Sequence, residues 1–572
     1  MSAIDVYLEV REDGQCIAHV LALPGCFVVG NDQEAALNNV SEAVQGYASW
    51  LEMHEKTITL PDQLITLTVA ETLRGVGALH PGDQMALFSP EKKPLSREEL
   101  ARLLQLAAYN RADLLAAVRG LSGTMRGWRP GPDRMSIDDI LRHIGRADRW
   151  YVSRLKGTAE LPEDWFAFDD QMPVMQFLRL MRETAVSHFQ HLSDDELSRI
   201  TTPTYRTQNP TEQWTARKAL RRFLEHEREH LAHIHENLAL WRQQFKARLA
   251  AERAHFLLQY RSLSEDVLTQ QPVVDDWTAK ALLPHVGAWD AFHTERLDLV
   301  HNGRLSDIEI LGETILNDRN AQLHQKMKDI PLEQAFALCL KERGGYKAML
   351  NRVSDADLHR TIRMPNGERS TIAVWANRRW RHDMTHGDEL AAWRNALPRD
   401  ILFGTGPKYL LTGILNASRK AFLELVPMLS EQERHEKLVC GEWTLKDLVG
   451  HLADWEMVGV GGLQKLSIGQ LPEYDEIITD FDLFNSRHAA IRKDQPWSKV
   501  WSDFESTRKQ LLDLLARVTD DDLKRPFTAS WGPTIHGYYL TVVWAVHEME
   551  HSVDVRQALQ LPNLPKRLRK HD

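Results

Sequence analysis

Beyond about residue 95 the chain is written in a helical period. Apolar residues recur three and four positions apart, as in Leu411, Ile414, Leu415, Phe422 and Leu425. That spacing lays them along one face of an α-helix. In the last part of the chain it predicts helices over 407–429, 444–466, 482–518 and 534–559. Four amphipathic helices of this length imply an antiparallel bundle with a shared core. The first ninety residues alternate instead. Residues 6–10, 17–21, 65–69 and 85–88 read as short strands, and a helix is expected over 33–54, with Asn31-Asp32 at its start. Leu23-Pro24-Gly25-Cys26 reads as a turn, and the polar, Pro-bracketed 89–94 as a linker.

The helical part repeats. A capping residue stands seven positions before a histidine three times: Ser136 before His143, Thr278 before His285, Thr444 before His451. Asp139 and Asp447 add the acid that completes a capping box. A hydroxyl-Asp-x-acid-Leu-x-Arg turn follows at 193–199, 354–360 and 519–525. Each unit then closes on His-x-x-x-His: His226/His230, His382/His386 and His547/His551. The copies are offset by 142 and 166 residues for the upstream histidine, 161 and 165 for the turn, and 156 and 165 for the pair. Such agreement marks a repeated supersecondary unit. The expected fold class is mainly α: three tandem antiparallel four-helix bundles over 95–245, 246–398 and 399–565, after a small N-terminal α+β domain over 1–90.

Composition narrows the function. The 572 residues are 43% hydrophobic and 26% charged, which excludes a disordered or low-complexity chain. Seventy basic against 80 acidic residues give a net charge of −10, and no long basic run breaks it, so no nucleic-acid partner is expected. No apolar stretch reaches the ~18 residues of a membrane span, and the charged, alternating first residues are unlike a secretory leader. Four scattered cysteines do not make a disulfide framework. A soluble, cytoplasmic protein is expected, for which a monomer is plausible. What stands out is 25 His and 17 Trp.

Residues four apart share a helix face, so two imidazoles so placed can hold one metal at ~2.0–2.1 Å. The capped upstream histidine, inside a bundle, can meet them. Three neutral imidazoles leave a coordination position open for water or substrate, and suit zinc, nickel, iron or copper without choosing among them. The candidate ligands are His143, His226 and His230; His285, His382 and His386; His451, His547 and His551. Glu227, Asp383 and Glu548 follow the first histidine of each pair, and Asp148, Asp290 and Glu456 stand five after the upstream one. Either set could orient an imidazole or act as a base. Trp277, Trp289, Trp380, Trp443, Trp455 and Trp544 cluster on the same helices as core or pocket wall. His226–His230 and His547–His551 match HExxH, but Asp383-Met384-Thr385 breaks the motif in the middle unit. The regular third histidine also lies upstream on another helix, which is unlike a zinc protease.

This order of elements, three times over about 95–562, resembles the DinB family, also described as DinB/YfiT-like metalloenzymes. The stretch 442–452, Glu-Trp-Thr-Leu-Lys-Asp-Leu-Val-Gly-His-Leu, is the nearest to it. The segments around Asn485 and at 317–320 resemble the ClbS-like branch, whereas the first unit offers Asp169-Asp170-Gln171 there. The resemblance implies a divalent metal, Zn, Ni or Fe, on the three histidines, and chemistry on a small molecule, often detoxifying. Relatives include transferases and isomerases that use a low-molecular-weight thiol, and hydrolases that open a reactive electrophile. The expected function is therefore a metal-dependent transferase or hydrolase acting on a small electrophile. The alternative is a non-catalytic metal-binding or protein-interaction scaffold. The first ninety residues resemble the HicB antitoxin fold through 6–10, 23–26 and 34–40. No helix-turn-helix follows, so a structural module or a docking site for a protein partner is implied rather than a repressor.

Overall fold

The computed structural model describes residues 3–55, 66–77, 82–156, 160–473, 480–529 and 533–561. The chain is mainly helical with a small N-terminal α/β region, and it divides into two compact units, Met1–Leu238 and Ala239–Asp572. Among the described residues no helix is long and apolar enough to cross a membrane.

The first unit opens with a four-stranded sheet in the order Phe27–Gly30, Cys16–His19, Ala3–Val10, Thr66–Arg74. The first three strands pair antiparallel; Thr66–Arg74 runs parallel to Ala3–Val10. A parallel pair needs a crossover, which the helix Gln33–Glu55 supplies. Asp32 starts that helix by accepting the Ala35 amide at 2.7 Å. The helix buries Ala36, Val40, Val44, Tyr47 and Leu51 against Val6, Leu8 and Val10, the alternate positions of the central strand.

Two expectations fail here for one reason. Residues 85–88 form no strand, and 89–94 is not a free linker. The Met85 amide donates to Glu212 at 2.9 Å and the Phe88 amide to Glu91 at 2.9 Å, so carboxylates take the donors that a strand neighbour would have used. Glu91 itself is 4% exposed and pairs with Arg221 at 2.7 Å, which docks the short 3₁₀ turn Ser89–Lys92. The helices Arg97–Val118, Ile137–Ser153, Val174–Gln190 and the start of Ala216–Leu258 follow. Their Leu106, Tyr151, Phe189, Leu220 and Phe223 share one core with Val6, Leu8 and Val40 of the α/β region. A buried charge cluster ties the same parts together. His19 lies between Glu225 at 2.7 Å and Glu9 at 3.3 Å, and Arg221 reaches Glu225 at 3.1 Å.

In the second unit the helices Ala279–His301, Leu332–Asn351 and Ile372–Asn395 follow the end of Ala216–Leu258. Lys408–Leu423, Leu445–Ser467, Trp497–Arg517 and Gly537–Ala558 come next. The helix expected over 482–518 is broken: Phe481–Arg492 ends before Pro496, which lacks an amide and disfavours helix at the residue before it. Glu313–Met327 stands at the corresponding place in the preceding set. A two-stranded hairpin leads into each capped helix here, Pro272–Val274 with Trp277–Thr278, and Leu438–Cys440 with Trp443–Thr444. Phe256, Leu283, Phe336, Leu411, Leu463 and Tyr538 lie in one continuous core.

Candidate metal centres

The capped starts set where the upstream histidines point. Ser136 and Thr444 accept the amides of Asp139 and Asp447 in full capping boxes, and Thr278 accepts that of Ala281. Seven residues is about two helical turns, so each following histidine projects from the same face as its cap. His285 sits directly after Pro284, and the helix continues through it.

Each upstream imidazole meets the pair on the last helix of its set. His143 Nε2 and His226 Nε2 are 3.0 Å apart, and His230 Nε2 is 3.1 Å from His226 Nε2. His285 and His382 stand at 3.0 Å, His386 and His382 at 3.3 Å. His451 and His547 stand at 3.0 Å, His551 and His547 at 3.1 Å. Within every trio all ligand atoms lie inside 4.8 Å of one another.

The chemistry of these donors fits a cation. Burial, with neighbouring imidazoles adding to it, pushes His230 down to about 2 and holds His226 well below the ordinary imidazole range; burial also lowers His143. Burial pushes His285 down to about 3 and His382 well below the usual value. Neutral rings carry one proton each. His386 Nδ1 faces Glu389 at 2.7 Å and His551 Nδ1 faces Asp554 at 2.9 Å, so in each ring it is Nε2 that turns toward the other two histidines. The inward Nε2 atoms stand 3.0–3.3 Å apart along each trio. Nitrogens bound to one metal at ~2.0–2.1 Å have this spacing. Cys440 lies 3.9 Å from His551 Nδ1 and, with Asp554, forms a further candidate donor group beside the third trio.

The acids next to the histidines face elsewhere. Glu227 takes Arg182 at 2.6 Å and Arg111 at 2.5 Å, and Asp148 takes both arginines at 3.1 Å. Asp383 takes Arg253 at 3.0 Å and Arg343 at 2.9 Å, with Asp290 at 2.9 and 2.8 Å from the same two. Glu456 and Glu548 are held by Arg419 and Arg508, at 2.8 Å for Arg419–Glu456 and 3.0 Å for Arg508–Glu548. All of these groups are buried, apart from the part-buried Arg111. Burial pushes Glu548 up, and Arg419, Arg508 and the Ser418 hydroxyl outweigh it, so its carboxyl ends below the usual range. Asp290 is lowered the same way, burial being outweighed by Arg343, Arg253 and Arg379. The arginines were not singled out from the sequence, yet they carry the repeat signal. Arg111, Arg253 and Arg419 are offset by 142 and 166, as the upstream histidines are, and Arg182, Arg343 and Arg508 by 161 and 165.

Aromatic walls differ between the trios. Trp277 packs on His285 and Trp443 on His451, with ring centroids 4.9 and 4.5 Å apart. Trp289 donates to Asn320 at 3.0 Å and Trp455 to Asn485 at 2.8 Å, from equivalent helix positions. The first set has Ala147 there. A Cβ on Gly459 would lie 2.0 Å from Trp544 Nε1, so this glycine admits the indole that packs beside His547.

Two regions, 106–234 and 414–552, match the family model of the DinB superfamily. Those segments are DinB-superfamily sequence. The DinB segments hold the first and third trios complete; the middle trio, with the same geometry, lies between them. The N-terminal region is homologous to a UPF0150 protein of Thermoplasma acidophilum, 43% identical over 53 residues, which is 9% of this chain and 77% of that protein. No solved structure gives a significant match.

Proposed function

We propose that the protein is a divalent-metal-dependent enzyme of the DinB type, acting as a transferase or hydrolase on a small electrophile. In this reading it carries three tandem four-helix bundles over 95–245, 246–398 and 399–565, each with one tri-histidine site, and the unmatched middle segment is a diverged copy. The observation that carries it is the threefold convergence of three imidazole nitrogens within 4.8 Å of one another. His143, His226 and His230 would hold the first ion, His285, His382 and His386 the second, His451, His547 and His551 the third. A divalent ion with three protein ligands supplies Lewis acidity to a thiol or water in its open position. Glu389 and Asp554 orient ligand rings through Nδ1. Trp443 and Trp455 shield the third site, and Asn485 fixes the Trp455 indole. The buried arginine–carboxylate sets hold the four helices of a bundle in register, so that Glu227, Asp383 and Glu548 act as positioning residues rather than bases.

The α/β region of 1–90 is HicB-like in this reading and serves as a docked module, one face of which is open to a protein partner. Four free cysteines suit a reducing, cytoplasmic setting. The test is metal content per chain after purification without a tag or added metal, repeated with His451→Ala. Two or three equivalents falling by one supports the reading. No metal, and no uptake of added Zn²⁺ or Ni²⁺ by the folded protein, overturns it.

A further inference from the structure

One cleft of the second unit is lined by no histidine. It encloses about 380 Å³ between the end of Ala216–Leu258, the helix Leu332–Asn351 and the helix Lys408–Leu423. This lies within the size range of small-molecule sites, about 300–1,000 Å³. Each of the three helices contributes one lysine: Lys246, Lys347 and Lys420. Leu249, Leu257 and Leu340 supply apolar wall.

The charges here are not balanced. Arg253 and Arg343 reach the floor of the cleft, but both are neutralised from behind by Asp290 and Asp383. Lys420 pairs with Glu424 at 2.7 Å. Lys246 and Lys347 have no ion-pair partner among the described residues, although both are half-buried. Burial lowers the Lys347 ammonium below its ordinary range, with Lys420 adding to the shift and Glu424 opposing it. Glu424 is the one acid in the lining, and a concave surface with an excess of positive charge concentrates anions; lysine stems lie readily on apolar walls with the ammonium turned to the opening.

We propose that this cleft binds a small amphipathic anion, its carboxylate, phosphate or sulfonate group between Lys246 and Lys347 and its apolar body against Leu249, Leu257 and Leu340. The site is separate from the tri-histidine clusters and does not depend on their function.

The test uses 1-anilinonaphthalene-8-sulfonate with the full-length protein, in metal-loaded form and after chelation. One tight equivalent is expected in both. Lys246→Gln/Lys347→Gln should weaken it at least tenfold, and so should Leu340→Glu, which places an acid at a side chain already 41% exposed and therefore safe for folding. The uncharged N-phenyl-1-naphthylamine should lose little affinity in the lysine double variant. Dodecanoate and inorganic phosphate as competitors then separate the sources: displacement by dodecanoate alone indicates an acyl anion, displacement by phosphate a phosphorylated ligand. Unchanged dye affinity in a double variant that retains its helical signal overturns the proposal, as does equal loss of the neutral dye.

Discussion

Arg182 donates to Glu227 at 2.6 Å, and Glu227 is the residue that follows His226. A helix turns about 100° per residue, so a side chain next to an inward ligand enters the bundle on a different side. The pairing therefore links the core to the candidate metal site without entering it.

Glu227→Gln separates the two roles open to this acid. As a positioning residue, its loss leaves Arg111 and Arg182 under-compensated, and removing one partner of a buried pair costs about 3–5 kcal/mol. The expected outcome is a clearly lowered unfolding transition in calorimetry, with the metal equivalents of the folded fraction unchanged. A catalytic base would behave in the opposite way, losing turnover at unchanged stability.

His230→Ala is expected to remove one metal equivalent and leave the others in place, measured by elemental analysis, because the three trios share no residue. Loss of all metal from this single change would show the sites to be interdependent.

Acid and base should both weaken the joint between the sheet and the helix at 216–258. Burial raises Glu9, but its bond to His19 and the nearby His19 and arginine charges bring it down to about 2, below its unfolded value of 4.5. Its contribution is present above 4.5 and is lost as pH falls towards 2. Burial lowers His19, but Glu225 and Glu9 raise it above its unfolded value of 6.5, so its contribution is present below 6.5 and lost as pH rises through the raised value. The stability gap between wild type and Glu9→Gln is therefore expected to be widest between about pH 4.5 and 6.5 and to narrow on either side. Thermal unfolding across pH 3.5–9 checks this; a flat gap would contradict it.

Deleting residues 1–94 should unfold the first unit. The cut removes Val6, Leu8 and Val40 from a shared core and takes Glu9, His19 and Glu91 from Arg221 and Glu225. Limited proteolysis is expected to digest the remainder of that unit while the second persists. Resistance equal to the intact chain would show the α/β region to be separable.

Gly459→Ala drives a methyl into the Trp544 indole, and overpacking of this kind costs about 1–3 kcal/mol. A shifted tryptophan emission with retained helix is expected; an unchanged spectrum would mean that the indole moves freely.

The helical repeat was legible because periodicity, caps and histidine spacing are local signals. The strand at Ala3–Val10 and the helix Gln33–Glu55 were equally plain, since both alternate or cycle against a single core face. The strand Phe27–Gly30 was missed: four residues at a sheet edge, of which only Gly30 is buried, carry too little pattern. Residues 85–88 misled for the opposite reason, having a strand-like pattern but amides claimed by the distant Glu212 and by Glu91 of the turn that follows. At the candidate site the histidines announced themselves by mutual spacing. The arginines did not, because an arginine on an amphipathic helix looks like any solvated charge until its distant carboxylate is known.

The carboxylates opposite the paired arginines differ in length from set to set: Asp148 with Glu227, Asp290 with Asp383, Glu456 with Glu548. Each combination spans a different gap by one methylene per acid. The middle set alone has Asp beside its histidine pair, so the last helix of either neighbour would bring it a glutamate one methylene longer than Asp383. Near-identical repeats are prone to recombine in the gene and to swap strands of structure while folding. Here the reach of the acid distinguishes the last helix of the middle set, through Asp383, and the upstream helix of the third, through Glu456.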